Sequence, residues 1–187
     1  MLKLRLLAHI LTGVALTIGA VAVPQTSIAG NNKYFCAQLH GTYRTFARTA
    51  RGPIPLISWV SYSAPPWTPR ARCIAVSKRF ERFYDNGNLR YISTGIVNGQ
   101  PVLCAVRSQG DSCHGANVLV TLPPGTNRYE AAQTLLDLRG LAAGRTLDLS
   151  GDERFEKYVD GETYYNLDLI LSAAPVSQEQ ELSVVKE

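Results

Sequence analysis

Residues 72–122 read RCIAVSKRFERFYDNGNLRYISTGIVNGQPVLCAVRSQGDSCHGANVLVTL, and they decide the fold because a helical pattern is followed directly by a hairpin pattern. In the helical part, apolar positions recur at three- and four-residue steps and therefore share one face. Those apolar positions are Cys73, Val76, Phe80 and Phe83. The basic positions of the opposite face are Lys78, Arg79 and Arg82. We expect the helix to begin near Pro69 and to end at Asn86-Gly87.

The hairpin part has two strand-like runs, residues 89–97 and 101–106, joined by Asn98-Gly99. An Asn-Gly pair between apolar runs is the strongest short hairpin signal, because both residues accept the positive φ of a tight turn. A third strand, residues 117–122, follows a loop bounded by two cysteines. One helix and three strands can each bury an apolar face on the other, so we expect a two-layer core.

Further strands are expected before this stretch, at residues 34–37, 43–47 and 54–61. Trp59, in the third of them, is expected in the core, whereas Trp67 stands among prolines and is as compatible with a surface contact as with burial.

After the central stretch, Asn127 is expected to cap a second helix that ends at Gly140. Its apolar positions are Ala131, Leu135 and Leu138. A second hairpin is expected to turn at Asp160-Gly161, with alternating apolar residues continuing its return strand to Leu171. The sequence therefore predicts an α+β fold, in which an antiparallel sheet of about five to six strands packs against two amphipathic helices and is stapled by disulfides.

The first residues resemble an export signal. Lys3 and Arg5 precede a long apolar run, and residues 27–29, Ser-Ile-Ala, place small residues where a signal peptidase cleaves. We expect cleavage before Gly30; the alternative is an uncleaved anchor helix, since the apolar run is about long enough to span a bilayer. The predicted organisation is a signal peptide at 1–29, one domain at 30–172 and a flexible tail at 173–187.

All four cysteines follow the expected cleavage point, and an even number in an exported chain predicts two disulfides. Three pairings are possible. We prefer Cys104–Cys113, because it closes a short loop between consecutive strands, which leaves Cys36–Cys73 by elimination. A metal site is not expected, because the sequence has no Cys-x-x-Cys and no His pair at ligand spacing.

The charges are distributed unevenly. Residues 30–110 carry 11 basic and 2 acidic side chains, while residues 111–187 carry 6 basic and 13 acidic ones. The two halves could pack together and neutralise each other, or the basic half could face an anionic surface or protein, including a membrane at its periphery. Export and the lack of a nucleic-acid-binding motif argue against nucleic acid as the partner.

Residue patterns that could support catalysis are weak. Asp111, Ser112 and His114 are too close in sequence to converge as a triad, and no Gly-x-Ser-x-Gly motif is present. Ser77 and Lys78 are adjacent on the predicted helix and therefore point about 100° apart. The acidic residues Asp152, Glu153 and Glu156 lack a calcium-loop pattern. No catalytic, metal or cofactor-binding residue is therefore assigned, and no cofactor is expected.

Several short motifs, taken together, resemble the cyanobacterial circadian oscillating protein (COP23-type) family. The most specific are RCxxVSxRF from Arg72 and NGQPVxC from Asn98, and the resemblance covers roughly residues 33–149. It implies an exported or membrane-associated protein whose abundance follows a daily rhythm. It brings no established molecular activity and no catalytic or ligand-binding residue.

The functional hypothesis is an exported, non-enzymatic binding or accessory protein of the cell envelope or thylakoid, located in the periplasm, thylakoid lumen or outside the cell. The alternatives are a protease-inhibitor-like module presenting the loop between Cys104 and Cys113, and a hydrolase with an unrecognised site. The expected interaction surface comprises Lys78, Arg79, Arg82, Arg44, Arg48, Arg51 and Trp67.

Overall fold

A computed structural model describes residues 31–60, 67–136 and 155–185. In these residues the strands are β1 (Tyr34–Leu39), β2 (Thr42–Thr49), β3 (Gly52–Trp59), β4 (Tyr91–Val97), β5 (Gln100–Val106), β6 (Val118–Thr121), β7 (Glu156–Val159), β8 (Glu162–Asn166) and β9 (Leu182–Val184). The helices are α1 (Pro69–Asp85), α2 (Arg128–Leu135) and α3 (Leu167–Ala173). A 3₁₀ turn, Glu179–Glu181, precedes β9. The fold is α+β, as the sequence predicts.

The strands form two antiparallel sheets, and the prediction of a single sheet is wrong. The first sheet has the order β3-β2-β1-β9 and the second has the order β6-β5-β4-β8-β7. Helix α1 contacts β1, β2 and β3 of the first sheet and β6 of the second, so it bridges the two sheets. Alternation of apolar residues indicates a strand and its buried face but not which distant strand it pairs with, so the pattern could not separate the sheets.

Helix α1 begins and ends where the sequence indicates. The Thr68 side chain accepts a hydrogen bond from the Ala71 backbone N–H, and Pro69 occupies the first turn. The expected apolar face is buried, with Ser77 in addition. The hairpin that follows is also confirmed: β4 and β5 pair up to the Asn98-Gly99 turn, whose φ values are 52° and 76°.

A buried polar cluster fixes α1 on the first sheet. The Thr45 hydroxyl accepts hydrogen bonds from the Trp59 indole N–H and from the Ser77 hydroxyl, each at 3.1 Å. The Cys36–Cys73 disulfide joins β1 to the same helix, with its Cα atoms 5.5 Å apart. Because helix and sheet are joined by both a covalent bond and a buried hydrogen-bond cluster, their relative orientation is determined.

The segment after β8 differs from the prediction. Leu167–Ala173 is helix α3, although alternation from Tyr165 to Leu171 predicted a continuing strand. The Asn166 side chain accepts a hydrogen bond from the Leu169 N–H, which caps the helix, and Leu167, Ile170 and Leu171 are buried. These are helical spacings, and a short run of leucines satisfies both periods, so the cap decides between them.

Residues 174–185 pack against the first sheet and do not form the free tail that the sequence predicts. Strand β9 pairs with β1, and the Ser177 N–H donates to the Pro53 carbonyl at 2.8 Å. Leu182 is buried with Phe35 and Phe46 on the face of the first sheet opposite α1. The segment is mostly polar, but the burial of Leu182 and the pairing of β9 with β1 hold it on the first sheet.

The remaining predictions concern α2, the second hairpin and the undescribed residues. The Asn127 side chain accepts from the N–H groups of Tyr129 and Glu130, as an N-cap should. Strands β7 and β8 confirm the hairpin that turns at Asp160-Gly161. The export segment, Leu138, Gly140, Asp152 and Glu153 lie outside the described residues. No helix in the described ranges is both long and apolar enough to span a bilayer.

Candidate interaction surface

Three basic residues of α1, Lys78, Arg79 and Arg82, lie outside the buried face of the helix. Lys78 and Arg82 are exposed and four residues apart, so they are neighbours on the helix. Arg79 lies beside Arg82 but is partly buried, and its Nη1 donates to the Leu119 carbonyl at 2.7 Å. Burial lowers the pKa of the Arg79 guanidinium, and the nearby positive charge of Arg82 lowers it further. These three positive charges therefore form one continuous surface.

The acidic residue within this stretch of helix is turned away from that surface. Glu81 accepts hydrogen bonds from the backbone N–H groups of Lys33 at 2.9 Å and Tyr34 at 2.6 Å, at the start of β1. Glu81 thus anchors the helix to the start of β1. Asp85, the other acid of α1, is exposed at the last residue of the helix.

A groove runs beside the basic surface, between α1 and the segment that joins β6 to α2. It contains a cavity of about 360 Å³, lined by Trp67, Arg72, Val76 and Arg79 on one side and by Leu122 and Pro123 on the other. An adjoining cavity of about 520 Å³ continues along α2 and shares three of these residues. Those shared residues are Arg72, Leu122 and Pro123.

Two aromatic residues mark this groove differently. Trp67 is 49% exposed, so the structure places it at the surface, where the sequence left it open. Trp59 is buried, as predicted, and the Arg72 guanidinium lies 4.7 Å from the centre of its ring. Burial lowers the pKa of Arg72 as well. The groove therefore combines apolar lining with two partly desolvated positive charges.

Three of the seven expected surface residues lie elsewhere. Thr45 faces α1, so its neighbour Arg44 on β2 points to the other side of the sheet. Arg48 is also on that side, 4.8 Å from the Phe35 ring, with an ion pair to Glu179 at 3.6 Å. Arg51, in the β2–β3 turn, donates to the carbonyls of two residues at the end of α3. The prediction that they share a surface with α1 is wrong, because charge counts along a chain do not distinguish the two sides of a sheet.

Sequence reasoning missed Arg72 and the groove as a whole. Arg72 precedes Arg79 by seven residues, which is two helical turns, so the helical pattern contained a signal for their shared face. Leu122 and Pro123 carried no such signal, because their approach to α1 depends on how the two sheets pack.

The loop between β5 and β6 is exposed and internally cross-linked. The Cys104–Cys113 disulfide closes it, with the Cα atoms 5.7 Å apart, and confirms the preferred pairing. The Asp111 carboxylate accepts from the Ser108 N–H at 2.8 Å, and the His114 N–H donates to the Asn117 side chain at 2.8 Å. The residues considered for a triad therefore organise turns of this loop.

The structure also accounts for the other residues considered for chemistry. The Ser77 hydroxyl is buried and donates to Thr45, whereas Lys78 is exposed, so the two side chains point apart. Glu156 is exposed on β7. Within residues 31–60, 67–136 and 155–185, no three His, Cys, Asp or Glu residues are grouped so as to hold a metal ion.

Comparison with known protein families identifies the family to which the chain is similar. A family model described as circadian oscillating protein COP23 matches residues 33–172, which span every element from β1 to α3 except the last residue of the helix. Neither a search of curated proteins nor a search of solved structures finds a match.

Proposed function

The chain belongs to the circadian oscillating protein COP23 family, and we propose that it is an exported, non-enzymatic binding or accessory protein that attaches to an anionic surface of the cell envelope or thylakoid. The observation that carries this proposal is the group of positive charges on α1 beside the exposed Trp67. The two disulfides support export, because such bonds persist in oxidising compartments.

The rigidity of α1 favours a surface-binding role. A disulfide, the Glu81 hydrogen bonds and the buried Thr45 cluster hold the helix, so Lys78 and Arg82 project from a fixed frame. Fewer degrees of freedom are then lost when the surface is bound. A lipid headgroup layer fits this arrangement, because an aromatic residue beside basic residues is typical of the membrane–water interface.

The expected strength of attachment is moderate. Each basic residue near an anionic membrane contributes about 1 kcal/mol, so Lys78 and Arg82 together contribute roughly 2 kcal/mol, or about 30-fold in affinity. Reversing both charges should cost at least that factor. Attachment of this strength is reversible and sensitive to salt, as peripheral binding should be.

Sedimentation with vesicles tests the proposal. The disulfide-bonded chain should bind vesicles that contain an anionic phospholipid and should not bind neutral ones. The double variant Lys78→Glu, Arg82→Glu should bind at least 30-fold more weakly. A matched control, Lys157→Glu with Arg107→Glu, reverses the same number of positive charges at exposed positions on β7 and in the β5–β6 loop. If both double variants lose affinity equally, net charge rather than this surface controls binding and the proposal is wrong.

A second candidate is a protease-inhibitor-like module, because the disulfide-closed loop is exposed and internally hydrogen-bonded. Residual activity of a panel of proteases should then fall with the oxidised chain and recover once the disulfide is reduced. A hydrolase remains the other alternative, and turnover of ester and glycoside substrates by the purified chain would establish it.

A further inference from the structure

We propose that the groove between α1 and the β6–α2 segment binds one single-chain anionic amphiphile, a fatty-acid-like carboxylate, with its head group at Arg79. The groove shares Arg79 and Trp67 with the proposed membrane-binding surface, and the proposal therefore rests in part on that function.

The size of the groove suits a small amphiphile. Its two cavities, of about 360 and 520 Å³, share Arg72, Leu122 and Pro123 in their lining and therefore adjoin each other. Small-molecule sites generally occupy about 300–1,000 Å³. Two cavities that follow one another along α1 and α2 favour a chain-like ligand over a globular one.

The charge at one end of the groove specifies an anionic head group. Arg79 makes one hydrogen bond, to the Leu119 carbonyl, and no ion pair with an acid of the described residues. A guanidinium group has five N–H donors. Partial burial of its charge without a counter-charge costs desolvation free energy. The lowered pKa of Arg79 reflects this cost, which a bound carboxylate would offset.

The other end of the groove determines the orientation of the bound ligand and the number of charged groups it can carry. The α2 side is lined by the apolar residues Ala131 and Leu135 and by the polar residues Asn127, Glu130 and Thr134. The Glu130 carboxylate disfavours a second anionic group there, so a ligand with one charged end and one apolar end fits best. The apolar end then passes Arg72, whose guanidinium lies over the Trp59 ring, and follows Leu122 and Pro123 towards α2. Burial of each CH₂ against the apolar residues contributes about 0.8 kcal/mol.

The test uses dodecanoate below its micelle concentration, dodecanol as a neutral analogue, and the disulfide-bonded chain without vesicles. Calorimetric titration should show one dodecanoate per chain, with a change in the emission of Trp67. Dodecanol should bind at least about tenfold more weakly, and Arg79→Gln should lower dodecanoate affinity by about tenfold or more. No dodecanoate binding, or equal affinity for dodecanol, would overturn the proposal.

Control variants separate a ligand contact from a fold defect. Arg79→Lys keeps the charge and a donor for the Leu119 carbonyl, so its dodecanoate affinity should stay above that of Arg79→Gln. The variant Lys78→Gln, Arg82→Gln removes both exposed charges without placing an acid beside Arg79, so it should bind vesicles more weakly but keep dodecanoate. If instead vesicles bind as proposed while dodecanoate does not, this inference alone falls. If dodecanoate binds while vesicles do not, only the proposed function falls.

Discussion

Replacing Thr45 with Val tests whether the buried polar cluster fixes α1 on the first sheet. The substitution keeps the shape but removes the only oxygen that accepts from both the Trp59 indole N–H and the Ser77 hydroxyl. A buried donor left without its partner costs about 1–3 kcal/mol. The Ser77 hydroxyl can rotate to donate to a helix carbonyl one turn earlier, so its loss of Thr45 should cost about 1 kcal/mol. The Trp59 indole N–H cannot rotate to another acceptor, so its cost lies higher in the range. We therefore expect a loss of about 3 kcal/mol in total.

Urea unfolding of the disulfide-bonded chain measures this loss, with Thr45→Ser as the matched control. Serine keeps the acceptor and loses one methyl group, so it should cost only about 1 kcal/mol. In a thermal scan, Thr45→Val should lower Tm by roughly 6–12 °C for a domain of this size. If Thr45→Val and Thr45→Ser differ by less than about 0.5 kcal/mol, the cluster does not stabilise the helix–sheet packing and the reasoning is refuted.

Three further predictions concern the loop, the core and the C-terminal strand. In Gly95→Ala the new Cβ would lie 2.6 Å from the Cβ of Cys113, so we expect a loss of about 1–3 kcal/mol in urea unfolding and faster reduction of the loop disulfide; an unchanged reduction rate would contradict the close packing. Tyr165→Phe removes a buried hydroxyl that has no hydrogen-bond partner in the described part of the chain, so stability at pH 7 should be unchanged or higher. Burial raises the pKa of Tyr165, so the folded chain keeps this proton above about pH 10, where the unfolded chain loses it. The difference lowers the stability of the original chain above that pH, and the fall in stability should therefore be smaller in Tyr165→Phe. A variant less stable at pH 7 would show that the hydroxyl does have a partner. Ending the chain at Ala173 removes β9 and the buried Leu182, which should cost at least about 1.5 kcal/mol and raise binding of a hydrophobic dye; equal stability would mean that the strand contributes nothing.

Local features of the fold could be predicted from the sequence because their causes are local. The cap, apolar face and end of α1 depend on residues within one helix, and the Asn98-Gly99 turn depends on two adjacent residues. The Cys104–Cys113 pairing followed from its short loop, and Cys36–Cys73 then followed by elimination. The division into two sheets and the pairing of β9 with β1 depend on contacts between residues far apart in sequence, for which a single sequence has no periodic signal.

Only the part of the candidate site that lies on one helix could be predicted from the sequence. Lys78, Arg79 and Arg82 share a surface because helical spacing places them together. Arg44 and Arg48 were assigned to it from charge alone, and the direction of β2 puts them on the opposite side of the sheet. The groove could not be predicted, because Leu122 and Pro123 approach α1 only through the packing of the second sheet.

The most direct test of the central claim, that the positive surface of α1 attaches the protein to an anionic surface, is the dissociation constant for anionic vesicles at two salt concentrations. At about 0.01 M salt the Debye length is about 30 Å, and at 1 M it is about 3 Å. The account predicts tight binding in the first condition and at least tenfold weaker binding in the second. Affinity that does not change with salt would contradict it.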